Sequence, residues 1–113
     1  MKEPKSMLKG SLSVIILKLL QDKPRMYGYE ITQKVKEITA GDIAITEGAL
    51  YPTLHKLEAD EFLESTTEIV EGRARKYYFL TQKGNQYSVS AITELQTFLN
   101  NIQLILNPSL IRN

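Results

Sequence analysis

Apolar residues recur with helical spacing in four parts of the chain and with strand-like density in two more. Residues 10 to 21 are crowded with Leu12, Val14, Ile15, Ile16, Leu17, Leu19 and Leu20. A helix that is apolar on most sides is buried on most sides, so this segment predicts the central helix of a core. Ser11 or Ser13 is placed to cap its start. Asp22-Lys23-Pro24 stops it, because the residue before proline avoids helical backbone angles. From about 27 to 38, Tyr27, Ile31, Val35 and Ile38 form an apolar stripe, with Tyr29, Gln33 and Lys36 opposite. Ala40-Gly41-Asp42 breaks this second helix, and Ile43-Ala44-Ile45 predicts a short β piece.

Thr46 then caps a third helix. At 3.6 residues per turn, Leu50, Leu54 and Leu57 fall on one side and anchor it to a core. Gly48, Pro52, His55, Lys56 and Ala59 point the other way, with Tyr51 and Thr53 on the flanks. An ordinary solvated face would be crowded with Glu, Lys and Gln. This one is small, partly aromatic and weakly basic, which suits close approach to another surface such as the major groove of DNA. Pro52 removes a backbone donor inside the predicted helix, a local conflict that calls for a packing or functional reason.

Two strands follow, Phe62 to Val70 and Arg75 to Leu80, both rich in β-branched or aromatic residues. Glu71-Gly72-Arg73-Ala74 joins them, and Gly72 permits a positive φ there. The hairpin therefore has a basic tip, with Arg73, Arg75 and Lys76 close together. Thr81 caps a long last helix that ends at Asn107-Pro108. Its apolar residues Ile92, Leu95, Leu99, Ile102 and Leu106 keep heptad spacing, with Phe98 and Ile105 widening the stripe. A second copy of the chain is the simplest partner for such a stripe.

Composition narrows the function. The 113 residues carry a formal net charge of +1, so any attraction to nucleic acid must come from local clustering. There is no cysteine, which removes disulfides, thiolate metal sites and cysteine nucleophiles together. The apolar run from Val14 to Leu17 is too short to cross a bilayer. The lysines at 2, 5 and 9 precede a segment interrupted by Lys18, which reads as a buried helix rather than a signal peptide. A cytoplasmic location is the expectation. Gly-rich phosphate loops, metal-binding His-Glu motifs and nucleophile elbows are missing from the sequence. His55 is the only histidine; on the third helix it can donate to a phosphate or a base. No enzyme activity, metal or cofactor is expected.

The element order predicts a mainly helical α+β fold, a winged helix-turn-helix with a long C-terminal dimerisation helix. Residues 1–80 form the expected winged-helix part and 81–113 the helix, as one compact unit. In such a fold the third helix enters a groove, the second crosses the backbone and the hairpin reaches alongside. A compact α+β domain that binds protein rather than DNA is the main alternative, and a small enzyme or metal protein a weaker one.

Residues Glu47 to Glu58, EGALYPTLHKLE, closely resemble the recognition-helix signature of the PadR-like transcriptional regulators. Tyr27-Gly28-Tyr29-Glu30-Ile31 resembles the start of that family's second helix. Gly72 to Tyr78 resembles its wing, and Leu80-Thr81-Gln82-Lys83-Gly84 its junction to the last helix. The resemblance implies a homodimeric regulator of double-stranded DNA, usually a repressor, whose last helix pairs the subunits. Carried over by position, it implies DNA contacts from Tyr51, Pro52, Thr53, His55 and Lys56 on the recognition helix, from Arg73, Arg75 and Lys76 on the wing, and from Tyr29 on the second helix. Ile92, Leu95, Leu99, Ile102 and Leu106 are the expected dimer contacts. Some members of the family bind a small aromatic effector near the dimer interface. This chain shows no motif for that pocket and has no tryptophan to stack on such a compound.

Overall fold

The computed structural model describes residues 5–110. The ends of the two expected segments, 1–4 and 111–113, and the lysine at position 2 lie outside the described residues. In chain order the elements are α1 (Lys5–Asp22), β1 (Met26–Tyr27), α2 (Gly28–Ile38), α3 (Glu47–Ala59), β2 (Leu63–Val70), β3 (Arg73–Leu80) and α4 (Gln82–Leu106), then a short 3-10 turn, Pro108–Leu110. This is the mainly helical fold expected, with a wing and a long last helix.

The core forms around α1. Leu12, Ile16, Leu17 and Leu20 are buried together with Ile31 and Val35 of α2, Leu50, Leu54 and Leu57 of α3, and Leu63 and Tyr78 of the sheet. The expected burial on most sides is only partly met: Leu12, Ile16, Leu17, Leu19 and Leu20 are buried, but Val14 and Ile15 are half-buried and Lys18 is exposed. The turn between α2 and α3 is tied by side chains. The Thr39 hydroxyl donates to Val35 O at 2.9 Å and accepts from Ile43 N–H at 3.0 Å. Ala40 and Gly41 take positive φ, 52° and 86°, and Gly41 N–H returns to Lys36 O at 2.8 Å. That left-handed exit closes α2 and aims the chain at α3.

Four expectations need correction. Residues 43–45 are not a strand. Ile45 is buried and Ile43 packs on the core, so their alternation reports side-chain burial without strand pairing. The additional strand is β1, whose Met26 and Tyr27 pair with Tyr78 and Tyr77 in a sheet ordered β1-β3-β2. Neither Ser11 nor Ser13 caps α1, which begins at Lys5; the Ser11 hydroxyl instead donates to Met7 O at 3.0 Å, inside the helix. Tyr27 is the N-cap of α2 rather than part of it, and Ile38, the last member of the predicted stripe, is 64% exposed. The hairpin turn is also shorter than expected. Val70 pairs with Arg73, so only Glu71 and Gly72 turn, at φ 51° and 78°. Two successive positive φ values match the right-handed twist of a tight hairpin.

Candidate nucleic-acid interface

Helix α3 is held by its inner face and bare on its outer face. Thr46 caps it by accepting from Ala49 N–H at 3.2 Å. Leu50, Leu54 and Leu57 are buried, while Gly48, Pro52, His55, Lys56 and Ala59 are exposed. The helix runs unbroken through Pro52. The missing N–H leaves the Gly48 carbonyl without its usual helical donor, on the open side where water can serve it. One residue on, the Thr53 hydroxyl donates to Ala49 O at 3.0 Å. Its proton is engaged within the helix, so the hydroxyl oxygen can serve a further partner only as an acceptor.

Tyr51 lies on the flank, half-buried over the start of α2. Its ring fills the space beside Gly28, where an added methyl group would overlap the phenol. Burial, and then the neighbouring Glu47 carboxylate, pushes its hydroxyl above the ordinary tyrosine range. The group therefore stays a protonated donor at neutral pH. The start of α2 is fixed from its other side by the Glu30 carboxylate, which accepts from Tyr27 N–H at 3.3 Å and pairs with Lys23.

The wing cations do not act as one cluster. Side chains alternate across a strand. Lys76 shares a face with the buried Tyr78 and reaches Glu58 of α3 at 3.7 Å. Arg75 lies on the other face, with its guanidinium 4.5 Å from the centre of the Tyr27 ring. Arg73 is exposed beside the turn. Glu58 also accepts from the Ser65 hydroxyl at 2.8 Å, so one carboxylate ties α3 to both wing strands. Lys56 pairs with Asp60 at 3.4 Å.

These elements enclose an open cleft of about 250 Å³ between the start of α2, the flank of α3 and strand β3. Tyr29, Tyr51, His55, Arg75 and Lys76 line it, with Tyr27, Gly28, Ala74 and Tyr78. Five of the nine residues expected at the interface thus meet in one place. Pro52, Thr53, Lys56 and Arg73 lie outside the cleft.

Sequence reasoning missed the wing's anchor. Arg25 forms a two-pronged pair with Glu68 of β2, one contact at 3.0 Å, and its guanidinium lies 4.2 Å from the centre of the Tyr77 ring. Tyr77 packs edge-on against Tyr27 at 5.4 Å. Arg25, Tyr77, Tyr27 and Arg75 therefore interleave along one face of the sheet. The Arg25 hydrogen bond holds the Glu68 carboxyl below its ordinary range. Ile69, also missed, is 72% exposed near the tip. An isolated arginine and a glutamate 43 positions away carry no periodic signal; only the strand register brings them together.

The profile of the Transcriptional regulator PadR-like family matches residues 16–89, from the middle of α1 through the start of α4. The chain belongs to the PadR-like family of transcriptional regulators. The transcriptional regulator Rv3488 of Mycobacterium tuberculosis is 41% identical over 69 residues, 61% of this chain and 58% of that one. Among solved structures, a PadR-like transcription factor from Bacteroides fragilis is 33% identical, with a TM-score of 0.71 over 90% of this chain and 96% of that one. A transcriptional regulator from Clostridium thermocellum is 28% identical, with a TM-score of 0.78 over 87% and 95%. The likeness of fold thus extends into α4, beyond the matched profile. Among the described residues, no group of His, Asp and Glu is arranged to hold a metal ion, and no helix is long and apolar enough to cross a membrane.

Proposed function

We propose that this PadR-like regulator is a homodimer that binds a two-fold related DNA operator and represses transcription from it. The observation that carries the proposal is the bare outer face of α3, flanked by the cleft and the wing cations. Residues up to 80 read the duplex and α4 pairs the subunits. The outer face of α3 lies in the major groove, where Lys56 and Thr53 reach base edges. Tyr29, Tyr51 and His55 donate to a phosphate at the cleft, and Arg73, Arg75 and Lys76 follow the backbone beside it. Phosphate contacts of this kind set position, while base contacts set sequence preference.

An apolar groove of about 330 Å³ supports the dimer. It runs between α1, α2 and α4, lined by Val14, Ile15, Ile38, Ile92, Leu95 and Leu99 among others. Farther along α4, Ile105 and Leu106 are 72% and 70% exposed. An apolar surface of this extent is characteristic of an interaction site. The groove lining holds no aromatic ring.

The test is binding of purified protein to duplexes recovered from genomic fragments, measured over a range of salt. Lys56 in the groove and Arg73, Arg75 and Lys76 along the backbone bring roughly four counterion-displacing cations per subunit to the duplex, for a dimer slope near −7 in log Kd-derived affinity against log salt, at about −0.9 per cation. Replacing Arg73, Arg75 and Lys76 with alanine should weaken binding to all sequences and flatten the slope by about 5. An unchanged slope would take the wing off the backbone. Absence of any salt-sensitive duplex binding, with a protein partner recovered instead, would favour an interaction module.

A further inference from the structure

The recognition helix and the last helix meet at a single tight corner. Helix α3 ends with Glu61 N–H bonded to Glu58 O at 3.0 Å and Phe62 N–H to Leu57 O at 2.9 Å, while Glu61 turns the chain at φ 68°. The three carbonyls that leave this turn are all taken by the start of α4. Asp60 O accepts from the Lys83 ammonium at 3.0 Å, and Glu61 O from the Thr81 hydroxyl at 2.7 Å. Phe62 O accepts from Thr81 N–H at 3.1 Å. The same Thr81 hydroxyl caps α4 by accepting from Gly84 N–H at 2.9 Å.

Side chains close the corner further. Gly84 is buried against the Phe62 carbonyl, and a methyl group there would overlap the oxygen. The Phe62 ring stacks on Tyr87 with centroids 4.2 Å apart and planes 4° from parallel. Tyr87 is 43% exposed and stands outside the main core. This stack therefore does little for core burial and much for the angle between two helices.

We infer that this corner is a rigid joint, and that Gly84 and Tyr87 are positioning residues that set how strictly the dimer discriminates the separation of its two half-sites. The inference rests on the DNA-binding dimer proposed above. In a two-fold dimer paired through α4, the placement of one α3 relative to the other is set by the contact between subunits and by the α3–α4 angle within each. One inserted base pair turns the half-sites by about 35° relative to each other, since B-DNA repeats every 10–10.5 base pairs or so. A stiff joint cannot follow that turn, so one half-site is released. A loosened joint can.

The experiment compares the wild type with Tyr87→Ala and Gly84→Ala. The probe is a duplex recovered by the wild-type protein from a random-sequence library, with the spacer between half-sites lengthened or shortened by one base pair. For the wild type, losing simultaneous engagement should weaken binding about 100-fold. For the variants, with dimerisation checked by sedimentation, the loss between spacers should shrink to under about 10-fold, even where absolute affinity falls. A merely structural role would lower affinity for every spacer alike and leave the ratio unchanged. Tyr87→Ala leaves the backbone contacts of the corner in place and so reports even where Gly84→Ala fails to fold. A wild type that binds duplex but ignores the spacer would overturn the inference, as would a Tyr87→Ala dimer that keeps the full ratio or a Tyr87→Ala chain that turns monomeric. A wild type that binds no duplex would instead remove the dimer reading on which it stands.

Discussion

Among the described residues, Glu61 is one of three non-glycine residues, with Ala40 and Glu71, whose backbone is poorly suited to a side chain. It occupies the left-handed region at the exit of α3, a place commonly taken by glycine. A side chain there costs roughly 1 kcal/mol or more, against about 0.5–1 kcal/mol of extra chain entropy that glycine loses on folding. Its carbonyl makes the contact to Thr81, and a change of side chain does not remove it. Glu61→Gly should therefore raise stability by up to about 1 kcal/mol, seen as an upward shift of a few degrees in thermal melting. A fall in melting temperature would mean that the Glu61 side chain has a role of its own. Gly28 makes the opposite case. Its missing side chain is what lets the Tyr51 ring sit over α2, and Gly28→Ala should destabilise by about 1–3 kcal/mol through overpacking.

Among elements, one exposed ion pair, Arg25–Glu68, joins the wing to the loop before β1. Arg25 lowers the carboxyl pKa of Glu68 in the folded protein. A depressed folded pKa gives stability that is present above the unfolded value, about 4.3, and is lost as pH falls through the folded value. Both partners are well exposed, so the effect is small. Melting temperatures of wild type and Glu68→Gln should differ most near neutral pH and converge below about pH 4. Parallel curves down to acid would show that the pair contributes nothing to the fold. In the proposed complex, the interleaved Arg25, Tyr77, Tyr27 and Arg75 contacts would have Arg75 reach a phosphate from a stacked position. For α4, Leu99 is 51% exposed and lines the apolar groove. Leu99→Glu would place an unpaired charge in the proposed seam and should give monomers by sedimentation. A stable dimer would place the interface elsewhere.

At the scale of the whole molecule, legibility followed the range of the interactions. The four helices were readable because each carries its own repeat, and Leu50, Leu54 and Leu57 alone orient α3. The cap at Thr46 and the stop before Pro24 are equally local. What the sequence did not disclose depends on distant partners. Strand β1 exists because β3 offers Met26 and Tyr27 an edge. Arg73, Arg75 and Lys76 look like a cluster in sequence, but strand alternation divides them between two faces and ties Lys76 to Glu58. Tyr29 on α2 is far in sequence from Tyr51 and His55 on α3, and the fold brings all three to one cleft.

The radius of gyration is 15.9 Å, against about 13 Å for a compact chain of this length. Much of the difference is α4, about 37 Å of helix by its 25 residues, which ends in exposed Ile105 and Leu106. As the proposed dimer, such a chain acts only in pairs. Below the concentration at which copies associate, occupancy of a two-fold target rises with the square of the number of chains. A modest change in synthesis or turnover then becomes a sharper change in output, with no ligand needed to produce it.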